Sequence, residues 1–314
     1  MNVTILLRPT FGLSPATGHI MNIGTKIIGS TRISAPRDSQ DKISKAMNLP
    51  VYRSNKKINF NILISFLVFS VSLFVSKFPN ALDVPVTRYL NSYANSNAAL
   101  DTICYALDND FTFSGVVFIS FIWYCWFKSE SIIGRSRIFC GSLFAFASGI
   151  VSRILQHLLH IHVRPYYDPS LNFKLPSISR ETLSNTWNSF PSDHSSVFSG
   201  LVLVIFIAEP AAGMMAAFWL VVIEAARIYM GAHYTTDIIG SFGLSAMLVW
   251  ASQLSFVNYA GVMGLRYAHL AKPTFYALAF FFTYQIATLF MELRQIPGGG
   301  ITLTSFLHFL RTAG

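Results

Sequence analysis

The stretch "FNILISFLVFSVSLFVSKF", residues 60–78, holds a single charged side chain, Lys77, and decides what kind of fold the chain can adopt. A helix needs about 20 mostly apolar residues to cross a hydrocarbon layer of roughly 30 Å, so this run is long enough to span a bilayer. The pattern recurs along the chain. "FTFSGVVFISFIWYCWF" occupies 111–127, with Trp123 and Trp126 near its end as interface anchors. Further apolar runs fall at about 138–161, 195–208, 211–230, 236–256 and 274–291. The prediction is an all-α, polytopic transmembrane helix bundle. A six-span domain covers 59–257, and a seventh span with a tail occupies 258–314.

Composition agrees. Of 314 residues, 53% are hydrophobic and 12% charged, about half the charged share of an average soluble domain. The formal charge of +9 is concentrated at one end: residues 1–58 carry nine Lys or Arg against Asp38 and Asp41, which is +7 of the total. A basic tail before a first span fits the positive-inside rule, and nucleic-acid binding is not expected. The tail has no sustained apolar core, so it is no secretory signal, and its Ser, Thr, Asn and Gly content predicts poor order. Cys104, Cys125 and Cys140 lack metal-ligand spacing and are expected to be packing residues.

Charge asymmetry also sets orientation. With the N-terminus inside, the basic turn at 128–137 and the loop at 257–273 fall inside as well. The acidic segment 79–110, the polar loop 162–194 and the junction 231–236 then face outward. Within the acidic segment, "VTRYLNSYANSNAAL" is too polar to span and is expected either as a surface helix or as a solvated loop.

Three groups of ionisable residues collect at the outward helix ends, where such residues are functional candidates by default. The first is "RILQHLLHIHVRPYYDP", 153–169. Helical spacing would put Arg153, His157 and Arg164 on one face, with Pro165 ending the helix. The guanidinium of Arg164 suits a phosphate, although snorkelling to headgroups would also place it there. His157, His160 and His162 could suggest zinc, but no third ligand with usable spacing is evident. The second group is "NSFPSDHSSVFSG", 188–200. Here Ser192 is the expected N-cap, and His194 sits in the first turn, where free amides attract an anion. The third is "EAARIYMGAHYTTD", 224–237. Glu224 and Arg227 can pair within one helix, and Asp237 lies one turn after His233, able to orient its ring.

These three groups resemble the signature of the membrane-bound type-2 phosphatidic-acid phosphatases, relatives of the vanadium haloperoxidases. That signature reads Lys, six residues, Arg-Pro; then Pro-Ser-Gly-His; then Ser-Arg, five residues, His, three residues, Asp. Arg164–Pro165, then Pro191, Ser192 and His194, then Arg227, His233 and Asp237 match it at full spacing. Three positions depart: His157 replaces the lysine, Asp193 the glycine and Ala226 the leading serine. "FPSDH", 190–194, is similar to the form found in bacterial polyprenyl-diphosphate phosphatases.

The resemblance implies a metal-independent, cofactor-free lipid phosphatase in a bacterial inner membrane, with its site on the periplasmic face. His233 would be the nucleophile, Asp237 its stabiliser and His194 the acid. Arg164, Arg227 and Ser192 would hold the phosphate, together with the amides after Ser192. By position Asp193 and His157 belong to the same group. Polyprenyl diphosphate is the favoured substrate, ahead of phosphatidate, phosphatidylglycerol phosphate or lipid A. A phosphotransferase with the same chemistry and a lipid transporter without chemistry are the alternatives.

Overall fold

The computed structural model describes residues 55–78, 80–179 and 188–289, which belong to one compact unit. Most of the basic N-terminal segment, the glycine run at 297–300 and the C-terminal tail lie outside the described residues. Ten α-helices are present and no strands among the described residues: α1 (Lys56–Val75), α2 (Asp83–Asn91), α3 (Ala98–Asn109), α4 (Gly115–Lys128), α5 (Ile132–Leu158), α6 (Asp193–Ala208), α7 (Pro210–Tyr229), α8 (Thr235–Ser252), α9 (Ser255–Ala268) and α10 (Lys272–Ala287).

Among the described residues, α1, α5 and α7 are long and apolar enough to cross a membrane, and the pair α8–α9 passes together with a 67° bend. The chain is an integral membrane protein. α4 and α6 are apolar but have only 14 and 16 residues; at 1.5 Å per residue such helices fall short of a ~30 Å layer. The expected seventh run forms α10, also 16 residues long and packed beside α4.

The bundle places its large apolar side chains outward. On α1, Phe60, Leu63, Phe66, Leu67, Val71 and Phe74 are exposed, whereas Ser65 and Ser72 are buried against α8. Lipid solvates Leu and Phe as well as a protein core does, so helix contact in a bilayer favours small residues that let backbones approach. Gly243 of α8 shows this: a Cβ there would lie 2.6 Å from the backbone nitrogen of Phe69. α6 is the central helix, packed by α4, α5, α7 and α8, and Phe198 within it stacks obliquely on Phe118 with ring centroids 5.2 Å apart.

The structure revises two local expectations and decides between the alternatives of a third. The segment predicted as a basic loop at 257–273 is largely helical: α9 turns back against α5, where Ser136 Oγ donates to the Asn258 carbonyl at 3.0 Å. The polar stretch after α1 forms two short helices, α2 and α3. Finally, α5 stops at Leu158, so Arg164 does not share its helical face with Arg153 and His157. The cause is tertiary. The Asn188 side-chain amide takes the carbonyls of Gln156 and Leu159, and residues 159–164 run extended, with Val163 bridged to Asn188.

Candidate active site

The ionisable groups singled out in the sequence, apart from His157 and His160, come together at one end of the bundle. This end is formed by the C-termini of α5 and α7 and the N-termini of α6 and α8. α2 and α3 lie against it.

The α6 entry is built from hydrogen bonds. Ser192 is the N-cap, accepting from the Ser195 amide at 3.2 Å, and it is completely buried. The loop before it is tied to α5: Ser152 Oγ donates to the Pro191 carbonyl at 3.0 Å, and the Gln156 amide donates to the same oxygen. From α8, Ser241 Oγ donates to the Ser192 carbonyl at 2.9 Å. The two amides expected to hold an anion are already engaged. Asp193 Oδ1 takes the His194 amide at 3.0 Å, and Ser192 takes that of Ser195.

The turn between α7 and α8 carries His233, whose ring is 1% exposed. Gly231 makes this turn with φ +76°, and a Cβ there would strike the Phe173 ring at 2.5 Å. His233 Nδ1 lies 3.0 Å from the Ser189 carbonyl. A carbonyl can only accept, so Nδ1 carries the hydrogen and the lone pair sits on Nε2. Arg164 Nη1 faces that lone pair at 3.3 Å and donates to the Ala232 carbonyl at 2.9 Å. Burial, reinforced by the charges of Arg164 and Arg227, pushes the His233 imidazole down to about 3, against the opposing effect of Asp237. The ring is therefore neutral at ordinary pH, as a nucleophile must be.

Asp237 is fully buried, and its Oδ2 accepts the Tyr234 amide at 2.8 Å, capping α8. Its distance to His233 Nδ1 is 3.6 Å, beyond hydrogen-bond reach, so it acts on that ring through charge. Its second oxygen lies 3.1 Å from His162 Nε2, an ion-pair distance without hydrogen-bond alignment. Burial disfavours a charged His162, but the neighbouring Asp237 outweighs it and raises the imidazole above its ordinary value. Burial, helped by the charge of Arg227, pulls Arg164 below the usual arginine range.

Arg227 pairs with Asp108 of α3 at 2.9 Å, while Glu224 is a distant partner at 3.9 Å. Its Nε is buried and has no hydrogen-bond partner among the described residues. Glu224 turns instead to Ser195, whose hydroxyl donates to it at 2.8 Å. On α6, His194 Nδ1 lies 3.0 Å from Asp193 Oδ1, and Arg153 of α5 approaches the other carboxylate oxygen at 3.6 Å. Asp193 is thus engaged by the His194 ring and by Arg153. His157 is exposed on the last turn of α5, and His160 is exposed beyond it, so the zinc grouping is split by the inward turn of His162. It is Arg153, one turn earlier, that reaches the cluster.

Three contributors escaped the sequence reading. His162 lies two residues before Arg164 and was weighed only as a metal ligand. Asp108 belongs to a segment whose acids served as a topology signal. Ser189 acts through its carbonyl, which no side chain reveals.

The architecture defines a class: a helical membrane protein with three arginines and three histidines, one ring held neutral, gathered at one end of the bundle. Residues 137–259, which contain all three motifs, match the PAP2 superfamily. A bacitracin transport permease protein, BcrC of Bacillus licheniformis, is 25% identical over 188 residues, covering 56% of this chain and 84% of that one. A solved structure, described as the first transmembrane PAP2 type phosphatidylglycerolphosphate phosphatase from Bacillus subtilis, aligns with a TM-score of 0.45 and 17% identity. That alignment covers 62% of this chain and 94% of that one.

Proposed function

We propose that the protein is a lipid phosphatase that works through a phosphohistidine on His233. The observation that carries this reading is the contact between the unprotonated Nε2 of His233 and the guanidinium of Arg164, 3.3 Å away. A lone pair beside a phosphate-binding cation is what attack on phosphorus requires. Nε2 forms the N–P bond while the bond from phosphorus to the lipid oxygen breaks. His194, protonated, gives its Nε2 proton to that oxygen. Water then attacks phosphorus, His194 takes a proton from it, and the N–P bond breaks to restore neutral His233. Arg164 and Arg227 hold the phosphoryl oxygens, Ser192 sets the helix start, and Asp237 stabilises the charged ring.

A polyprenyl diphosphate is the favoured substrate, on the strength of the "FPSDH" form, ahead of phosphatidate, phosphatidylglycerol phosphate or lipid A. The site faces outward across a bacterial inner membrane, as the basic turn at 128–137 supports. The name of the Bacillus licheniformis relative favours a second reading, transport without chemistry. Against it, the ionisable groups sit at helix ends, whereas transporters bind near the bilayer midplane.

The experiment is acid-free trapping of the intermediate. Purified protein mixed briefly with terminally labelled farnesyl diphosphate or labelled phosphatidate should retain acid-labile, base-stable label. His233→Ala should retain none and release no phosphate while remaining folded. Full phosphate release by that variant would overturn the reading.

A further inference from the structure

The departure at Asp193 acquires a role once its surroundings are seen. It is the first residue of α6, with its side chain 9% exposed, and one oxygen of its carboxylate takes both the amide and the Nδ1 of His194 at 3.0 Å. The other oxygen faces Arg153 Nη1 at 3.6 Å. Arg153 is steadied by Gln156 Oε1 at 3.3 Å, and Gln156 in turn binds the Pro191 carbonyl. A chain of polar contacts therefore runs from α5 through the carboxylate to the ring.

We propose that Asp193 is a positioning residue for the general acid, fixing the His194 ring so that Nε2 carries the deliverable proton and favouring the protonated ring against the burial that disfavours it. This deepens the phosphatase reading and rests on it. With Nδ1–H engaged by the carboxylate, only Nε2–H remains to be given away. The charged ring has an ion-pair partner that a glycine at this position could not supply. Burial first, and then Arg227 of α7, pull the His194 imidazole below its ordinary value, while Asp193 and, more weakly, Asp108 of α3 act in the opposite direction; Arg153 of α5 acts through Asp193. The carboxylate is the only one of these groups within hydrogen-bond reach of the ring among the described residues. The two catalytic rings are thereby oriented differently. His233 leans on a neutral carbonyl that leaves it unprotonated, and His194 on a carboxylate that favours its cation.

The test compares leaving groups. An alkoxide departs only with a proton, whereas p-nitrophenolate departs without one. Asp193→Asn keeps an oxygen for the His194 amide and removes the charge. Its kcat on dioleoyl phosphatidate should fall about tenfold or more, with KM unchanged, while kcat on p-nitrophenyl phosphate changes by less than about twofold. The alkaline limb of the phosphatidate profile should move to lower pH.

Equal losses on both substrates, or an unmoved limb, would overturn the proposal. His194→Ala separates it from the reading beneath. A loss selective for phosphatidate in His194→Ala but absent in Asp193→Asn keeps the acid and removes its partner. Equal losses in His194→Ala remove the acid itself. Nitrogen-15 NMR titration of His194 requires no turnover: a lower pKa in Asp193→Asn supports the proposal, and an unchanged one overturns it.

Discussion

His233 and His162 share Asp237, yet their environments push them in opposite directions. His233 stays neutral in the folded protein down to about 3, because burial and two arginines outweigh the carboxylate. The unfolded chain protonates this ring below about 6.5, so it binds a proton that the folded state refuses. Stability must then fall as pH drops from that value, by at most about 1.4 kcal/mol per pH unit for one proton. His162 is raised, so its contribution is complete below about 6.5 and is lost as pH rises through its folded value. Thermal midpoints in detergent should therefore peak near pH 6.5, with a shallower acid limb in His233→Asn. An identical acid limb in that variant would mean that the ring is not held neutral. At this scale the sequence displayed every charged side chain of the site but not which neighbours it meets. The pairing of Arg227 with Asp108 joins residues from α7 and α3, and the Ser189 carbonyl that sets the His233 tautomer is independent of residue type.

Among the elements, α2 has a task that its polar sequence conceals. Asp83, at its first position, accepts the Thr236 amide at 2.8 Å and the Thr236 hydroxyl at 2.6 Å, and is itself held by Asn80. A helix outside the apolar runs thus caps the start of α8, next to the turn that presents His233. Losing such a cap costs about 1 kcal/mol. Asp83→Ala should lower the thermal midpoint and reduce kcat more than it changes KM, since the turn carrying the proposed nucleophile loosens while the arginines stay. Kinetics and melting on the purified variant check this; an unaltered kcat would show that the turn holds without α2. The surface-helix reading of this stretch was available from composition, but its inward carboxylate was not. The end of α5 was misjudged for a related reason. Pro165 constrains only its predecessor, whereas the Asn188 amide, 29 residues after Leu159, draws off the last carbonyls earlier.

For the molecule as a whole, the bundle has two chemically distinct ends. One gathers the site; the other carries the Lys128–Glu209 pair at 2.8 Å and Arg135 over the Trp126 ring. The three cysteines are all buried, so a membrane-impermeant maleimide has no native thiol at the surface to label. With the site outward, Ser170→Cys should react in intact cells and Ser131→Cys only after lysis, both positions being exposed. The reverse pattern would invert the orientation.

Hydrophobic run length and the position of basic residues are properties of the chain read in order, and they determined by themselves that this is a helical membrane protein with its ionisable motifs at helix ends. Motif spacing likewise determined which arginines and histidines to watch. Only the tertiary structure decided that Arg153 and not His157 reaches Asp193, that Asp108 pairs with Arg227, and that the Ser189 carbonyl holds the His233 ring. The physical reason is that a carboxylate's effect depends on which cation lies within a few ångströms. That distance is set by helix packing among residues tens to more than a hundred positions apart, which periodicity along one helix does not encode.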